Sequence, residues 1–237
     1  MFFSPADIPF IILLVSGSCY SIYRKKLTPF AALTGAVCGL LIYLGTGYAG
    51  ILMLTAFFIV GSTATGFGRK QKQHLGKPDD TTMRKYTQVL ANAGCAALFS
   101  LLCIIYPAQA EIYRLLLAAS IASATADTLS SELGMVYGKR FYNCLTWKKE
   151  ARGLDGAISL EGTIAGMLGA ILIATIDAAG FGWNKNFFLI VFSAMLGNFS
   201  DSILGASLER RKYLNNDAVN FLSILIASFF CLLISNL

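Results

Sequence analysis

The sequence predicts an all-α fold: a polytopic transmembrane helix bundle of about eight spans, forming a single integral-membrane domain over residues 1–237. Three observations predict it. Hydrophobic residues make up 56% of the chain and charged residues only 14%, with a mean hydropathy of +0.63, far above that of a water-soluble domain. Apolar windows approaching the ~20 residues needed to cross a bilayer recur along the whole chain. All but two of the 19 Lys and Arg residues fall in four of the loops between those windows, the distribution expected of cytoplasmic loops.

The first window, Ile8 to Tyr23, precedes its basic cluster of Arg24, Lys25 and Lys26. That order is the reverse of a secretory signal, and the window reads as an uncleaved span. The second and third, Phe30 to Leu44 and Gly47 to Ser62, are short and separated only by GTGYAG, so seven spans is the alternative count. The remaining windows run Gln88 to Tyr106, Ile112 to Leu133, Ser159 to Ile176, Phe187 to Leu208 and Ala218 to Ser235. With eight spans, all four basic loops lie on one side and the two exceptions, Arg114 and Lys185, on the other. The positive-inside rule then places both termini on the non-cytoplasmic side. Dropping one of the paired short spans breaks this alternation, so the charge pattern favours eight.

The net charge of +6 is therefore a statement about topology and points to membrane lipid, not to nucleic acid. The six cysteines show no C-x-x-C spacing, and five of them lie in apolar windows, where Cys behaves as a small hydrophobe. His74, the single histidine, sits in a Lys-rich loop and reads as solvated. Neither pattern indicates a zinc site.

The acidic and amide residues carry the functional signal. An Asp near the bilayer centre costs roughly 2.5–3.5 kcal/mol on insertion scales. Yet Asp127 and Glu132 in the fifth span, Asp155 and Glu161 at the sixth, Asp201 and Glu209 at the seventh and Asp217 at the eighth all crowd the cytoplasmic half. Asn92, Asn198, Asn216 and Asn220 join them at that depth. Asp7, Glu111 and Asp177 lie at the outer ends and read as solvated or capping carboxylates. Asp127 and Ser131 are four residues apart, Asn198 and Asp201 three, and Asp217 and Asn220 three, so each pair shares one helix face. Several helices thus aim oxygens at one region. Carboxylates so placed repel one another unless a positive charge lies between them. Hard oxygen donors without Cys or His suit Mg²⁺, which keeps waters and borrows ligands from substrate phosphates. That chemistry points to a nucleotide.

The segment GLDGAISLEGTIAGMLGA places Gly153, Asp155 and Gly156 ahead of a helix, where a turn of backbone N–H groups makes a phosphate seat. Gly162, Gly166 and Gly169 further along read as a close-packing seam between helices. The Walker phosphate loop, the H-E-x-x-H helix, the nucleophile elbow and the Rossmann fingerprint are all absent from the sequence. Phosphoryl transfer needs mainly metal, positive side chains and alignment. The basic runs containing Arg69, Lys70 and Lys72, Lys139 and Arg140, and Arg210, Arg211 and Lys212 supply charge, although each also serves as a topology signal and anionic-lipid contact. Tyr137, Phe141 and Tyr142 read first as an interfacial aromatic belt.

The segments GSTATGFGRKQKQHLG, YTQVLANAG, ADTLSSELG, GLDGAISLEGTIAG, GNFSDSILGA and NNDAVNFLS, in this order and spacing, resemble the integral-membrane family numbered ninety-two among the domains of unknown function. Its best-understood plant member is a phytyl-phosphate kinase of the vitamin E pathway. The resemblance runs from about Gly45 to the C-terminus. It implies a kinase that converts an isoprenoid monophosphate (phytyl, geranylgeranyl or farnesyl phosphate) to the diphosphate with CTP or another nucleoside triphosphate. One departure is visible: Gly156-Ala157-Ile158-Ser159 stands where Gly-Gly-Val-Ser is common, so the resemblance does not carry a backbone–phosphate contact to Ala157.

The resemblance and the residue chemistry converge on one expected site facing the cytoplasm. Asp127, Glu132 and Asp201 are expected to hold Mg²⁺ and form the catalytic set. Asn92, Lys70, Lys72, Ser131, Gly153, Asp155, Gly156, Ser159, Glu161, Asn198, Ser202, Asn216, Asp217 and Asn220 are expected to bind nucleotide and acceptor. Two other classes use the same carboxylates: a CTP-dependent cytidylyltransferase acting on a lipid phosphate, and a cation-coupled transporter. A purely structural reading pairs them with Lys or Arg to pin helices together.

Overall fold

The computed structural model describes residues 5–73 and 83–235; His74 lies outside the described residues. Eight α-helices are seen among them: α1 (Ile8–Tyr23), α2 (Pro29–Gly66), α3 (Arg69–Gln73), α4 (Tyr86–Ile105), α5 (Ala110–Tyr137), α6 (Leu160–Phe181), α7 (Asn186–Leu204) and α8 (Asn216–Ser235). A π-helical turn, Gly205–Glu209, extends α7. Two short strands, β1 (Tyr142–Asn143) and β2 (Ala157–Ile158), pair antiparallel inside the connection from α5 to α6. The architecture is all-α and polytopic. Five of the described helices (α2, α4, α6, α7 with its extension, and α8) are long and apolar enough by length and composition to cross a membrane.

The expected second and third spans form one element, α2, of 38 residues. A straight helix of that length would separate its ends by about 57 Å. Instead both ends meet Arg84: its N–H donates to Lys26 O (2.9 Å), its carbonyl accepts from Thr28 N (3.1 Å), and its guanidinium donates to Thr65 Oγ1 (3.2 Å). The helix therefore doubles back, and it does so at Gly47, whose φ of 65° and ψ of −150° interrupt the helical backbone. A Cβ placed on Gly39 would lie 3.4 Å from Ile51 and 3.8 Å from Leu54, contacts that only a hairpin brings together. The turn rests on a backbone region that is essentially reserved for glycine. No atom lies within 4 Å of a Cβ at Gly47, so Gly47→Ala tests the backbone alone. It is expected to cost about 1–3 kcal/mol, seen as earlier thermal unfolding in detergent. Gly17→Ala, equally uncrowded but within α1, is expected to be neutral or stabilising.

Helix α5 is the axis of the bundle and packs against α2, α4, α6, α7 and α8. Its centre, Ala118 to Ala126, is made of small residues apart from Ile121, and every side chain in it is buried. This explains why α5, though 28 residues long, is less apolar than its neighbours: it meets helices on all sides, and small side chains let them approach. The glycine seam expected from the sequence lies against it. A Cβ at Gly162 would come within 2.7 Å of Ser130 O, one at Gly166 within 2.8 Å of Ala126 O, and one at Gly169 within 2.8 Å of Leu129. The α5–α6 contact thus places backbone on backbone beside Asp127. Ser159 starts α6 by accepting from Gly162 N at 3.1 Å, and Thr28 starts α2 in the same way through Ala31 N.

Candidate active site

One end of the bundle holds a cavity of about 360 Å³. It collects the ends of α1, α2, α5 and α7, the starts of α4, α6 and α8, and the α5–α6 connection. Most of the residues expected from the sequence line it. Asp127, Ser131 and Glu132 come from α5; Gly153, Asp155, Gly156 and Ser159 from the connection; Asn198, Asp201 and Ser202 from α7; Asn216, Asp217 and Asn220 from α8; Asn92 from α4; and Lys72 from α3. Residues separated by more than 120 positions are thus brought to one cavity.

The chemical centre is the meeting of α5 with α7. The carboxyl groups of Asp127 and Asp201 lie within hydrogen-bonding reach of each other, and Asp201 Oδ2 also accepts from Ser223 Oγ at 3.1 Å. Two carboxyl groups at that range share either a proton or a cation, because two bare charges would drive the helices apart. Asp155 is near enough to add its charge to Asp201. Asn198 is buried beside them, with its amide nitrogen 3.0 Å from where a Cβ on Gly166 would stand. Ser223, almost fully buried, was not expected as a partner: a lone Ser in an apolar window reads as a small packing residue, and only its three-residue spacing from Asn220 marks the shared face.

Glu132 belongs to a different arrangement. Lys72 Nζ donates to Glu132 Oε2 at 2.6 Å, to Ala64 O at 2.8 Å and to Thr65 O at 3.2 Å. The ammonium group has three donors, and these partners use all of them. Lys72, expected to bind nucleotide, lines the cavity and at the same time clamps the end of α2 to α5. Of the expected metal set of Asp127, Glu132 and Asp201, Glu132 is paired with Lys72, and no three Asp, Glu, His or Cys side chains form a metal-holding group among the described residues. A pair, Asp127 with Asp201, remains. Glu161 does not line the cavity; it lies outside the wall and accepts from Lys139 N at 3.4 Å. Its place in the first turn of α6 suits the helix dipole. Lys70 is in α3, and its side chain lies outside the described residues.

The basic lining differs from the expected one. Lys25, Lys26, Arg69 and Arg84 reach the cavity. The sequence marks Lys25, Lys26 and Arg84 only as topology signals, because nothing local reveals that α2 returns both of its ends to this point. Arg210, expected to supply phosphate-binding charge, is instead committed to the α5–α6 connection. It makes a two-pronged pair with Glu150 (3.0 and 2.8 Å) and donates from Nε to Asp155 O at 2.7 Å. Asn143 Nδ2 donates to the same Glu150 at 2.7 Å, and Cys144 Sγ donates to Ser202 O at 3.1 Å. These bonds hold the connection onto the π-turn. Gly156 is the point of closest approach: its φ is 73°, and a Cβ there would lie 2.4 Å from Ala206 Cβ and 2.5 Å from Ser202 O. Gly153, with φ of 84°, makes the other left-handed turn.

Hydrogen bonds from Arg210, then Asn143, hold the Glu150 carboxyl below its ordinary value of 4.5. A carboxylate lowered on folding contributes stability above its unfolded value and loses it as pH falls through the folded one. The connection is therefore expected to stay closed down to pH 4.5 and to open below it. Hydrogen exchange across residues 139–159 measures this, and Glu150→Gln is expected to raise exchange already at pH 7.

At the far end of the bundle, Asp7 accepts from Tyr43 Oη, and Glu111 lies on the surface. Asp177 departs from its expected solvated role. It is only 3% exposed, with Oδ1 unpartnered, because α6 turns it toward α5 and within range of the Arg114 charge.

Comparison with known proteins identifies the family. The profile of the family described as "Integral membrane protein DUF92" matches residues 11–228. The chain is 33% identical over 231 residues to the chloroplastic protein VTE6 of Arabidopsis thaliana, covering 94% of this chain and 69% of that protein. It is 34% identical over 199 residues to the uncharacterized membrane protein MJ0933 of Methanocaldococcus jannaschii, covering 84% and 82% of the two chains. It is also 32% identical over 204 residues to the uncharacterized membrane protein sll0875 of Synechocystis, covering 83% and 78%. No solved structure matches the chain. The match to the family over nearly the whole chain makes this protein a member of the DUF92 integral-membrane family.

Proposed function

We propose that this protein is a membrane kinase that transfers the γ-phosphate of a nucleoside triphosphate to an isoprenoid monophosphate, giving the diphosphate. One observation carries the reading. The Asp127–Asp201 pair shares a cavity with Lys25, Lys26, Arg69 and Arg84, so groups suited to a cation and groups suited to phosphate line the same space. The chain's resemblance to a family that includes a phytyl-phosphate kinase supports the reaction class. The nucleotide is CTP or another nucleoside triphosphate.

The donor set fits Mg²⁺. Two carboxylates are enough for an ion that takes its other ligands from water and phosphate, and a cation between Asp127 and Asp201 removes their repulsion. Bound there, Mg²⁺ would neutralise charge on the transferred phosphoryl group. The chain's own residues do the rest. Lys25, Lys26, Arg69 and Arg84 draw the phosphates in from solvent, and Asn198, Asn216 and Asn220 offer amides to orient them. An oxygen of the acceptor phosphate forms the new bond to γ-phosphorus as the β–γ bridging bond breaks, and the nucleoside diphosphate leaves. The acceptor is already ionised near pH 7, so no strong base is required.

The topology belongs to the same proposal. Eight crossings, counting each arm of α2, leave the cavity at the cytoplasmic end and both termini on the opposite side, with the prenyl chain in the bilayer and its phosphate at the interface. Product analysis tests the reading. Purified protein is supplied with Mg²⁺, CTP or ATP, and farnesyl, geranylgeranyl or phytyl monophosphate, and the lipid fraction is weighed by mass spectrometry. A prenyl diphosphate supports the kinase. A cytidylyl-lipid assigns the chain to cytidylyl transfer instead, and an unchanged lipid with Mg²⁺-independent cation uptake in vesicles assigns it to transport.

A further inference from the structure

The α5–α6 connection carries a surface that the proposed chemistry does not use. Asn143 Oδ1 accepts from Leu145 N at 2.9 Å and Thr146 N at 3.0 Å, and Asn143 O accepts from Trp147 N at 2.8 Å. The tight turn so formed projects Leu145 (47% exposed) and Trp147 (66% exposed). Trp147 does so with φ of 57°, a left-handed conformation that a bulky residue rarely adopts and that persists only where surrounding bonds impose it. Four cations, Lys139, Arg140, Lys148 and Lys149, are exposed on the same connection, and neither ion pair found among the described residues engages them. Its two acidic groups are placed elsewhere: Glu150 is held by Arg210, and Asp155, though exposed, lines the cavity.

The position of this surface matters as much as its composition. The connection leaves α5 after Tyr137 and enters α6 at Leu160, whose side chain is 72% exposed at the first residue of a candidate membrane span. The connection therefore ends at the border of a candidate membrane span, where a bundle would meet the headgroup layer. An exposed indole beside unpaired lysines is complementary to one kind of neighbour there, an anionic lipid surface: the ring suits the interface, and the charges suit the headgroups. The other limb of the connection, Gly153 to Ser159, forms a wall of the cavity, and β1–β2 pairing ties the two limbs together.

We infer that the Leu145–Lys149 turn docks onto the anionic headgroup layer around the protein and couples one wall of the cavity to it. The inference concerns a lipid contact and does not depend on which reaction the cavity performs. Trp147 and Trp183 are the two tryptophans of the chain, and Trp183 lies at the far end, between α6 and α7. The Trp183→Phe protein thus reports Trp147 alone. It is placed in nanodiscs of phosphatidylcholine or of phosphatidylcholine with phosphatidylserine, and acrylamide quenching from water and dibromo-lipid quenching from the bilayer are recorded.

With phosphatidylserine present, Trp147 emission is expected to move to the blue, acrylamide quenching to fall and dibromo-lipid quenching to rise. Lys148→Gln with Lys149→Gln, or high salt, is expected to reverse the change, lowering the docked-to-undocked ratio on the order of tenfold. Equal acrylamide quenching in both discs would overturn the inference. So would protection that is independent of lipid charge and lost on dilution to monomer in detergent, which would make the occupant a second copy of the chain. The Trp147→Phe protein, reporting Trp183, is expected to be indifferent to phosphatidylserine.

Discussion

Asp127→Asn and Asp201→Asn are each expected to lower phosphoryl transfer on the order of 10²–10³-fold or more while leaving the protein folded. Asn keeps the shape of Asp and removes the charge that a cation needs. Because the two carboxyl groups lie within hydrogen-bonding reach, removing one charge also relieves repulsion. Thermal stability without nucleotide is therefore expected to hold or rise in both variants, even as activity falls. The stabilisation that wild-type protein gains from Mg²⁺ with nucleotide should vanish in parallel. A helix-pinning role for the same residues predicts the opposite pattern, lower stability with activity lost only in proportion. Ser223→Ala removes one donor to Asp201 and is expected to have a smaller effect, since Asp127 still orients the carboxyl group.

Lys72→Met is expected to produce the largest loss of stability, about 3–5 kcal/mol. The ammonium group is 5% exposed, and its loss strands the carbonyls of Ala64 and Thr65 together with Glu132, which is 16% exposed. A buried charge left without its partner costs more than the pair ever contributed. The double variant Lys72→Met with Glu132→Gln is therefore expected to recover part of the loss, and a double-mutant cycle on thermal unfolding measures the coupling. If Lys72 instead contacted substrate phosphate, Lys72→Met would raise KM with little change in unfolding.

Much of this site was legible because chemistry in a membrane sequence is conspicuous. Asp127, Asp201, Asn198 and Asn220 stand out against apolar neighbours, and their three- and four-residue spacing assigns them to faces without any knowledge of packing. The seam of Gly162, Gly166 and Gly169 was legible for a related reason, since only close approach of another backbone requires small residues in that register. Pairings between distant elements were not. The Lys72–Glu132 clamp joins residues 60 positions apart, and no local pattern separates a Lys that satisfies helix carbonyls from one that awaits phosphate. The partner of Arg210 was illegible for the same reason: Glu150 sits in a loop whose two short strands leave no period-2 signal. The doubling back of α2 lay between the two cases. GTGYAG announces a turn, but a bundle is needed to show that both arms end beside Arg84.

The most direct test of the central claim is transfer of label from a γ-³²P nucleoside triphosphate to a prenyl monophosphate by purified, lipid-reconstituted protein in the presence of Mg²⁺. The account predicts labelled prenyl diphosphate with wild-type protein and on the order of 10²–10³-fold less, or lower still, with Asp127→Asn or Asp201→Asn. Label that stays in the nucleotide across all three acceptors, with the protein folded, would contradict it.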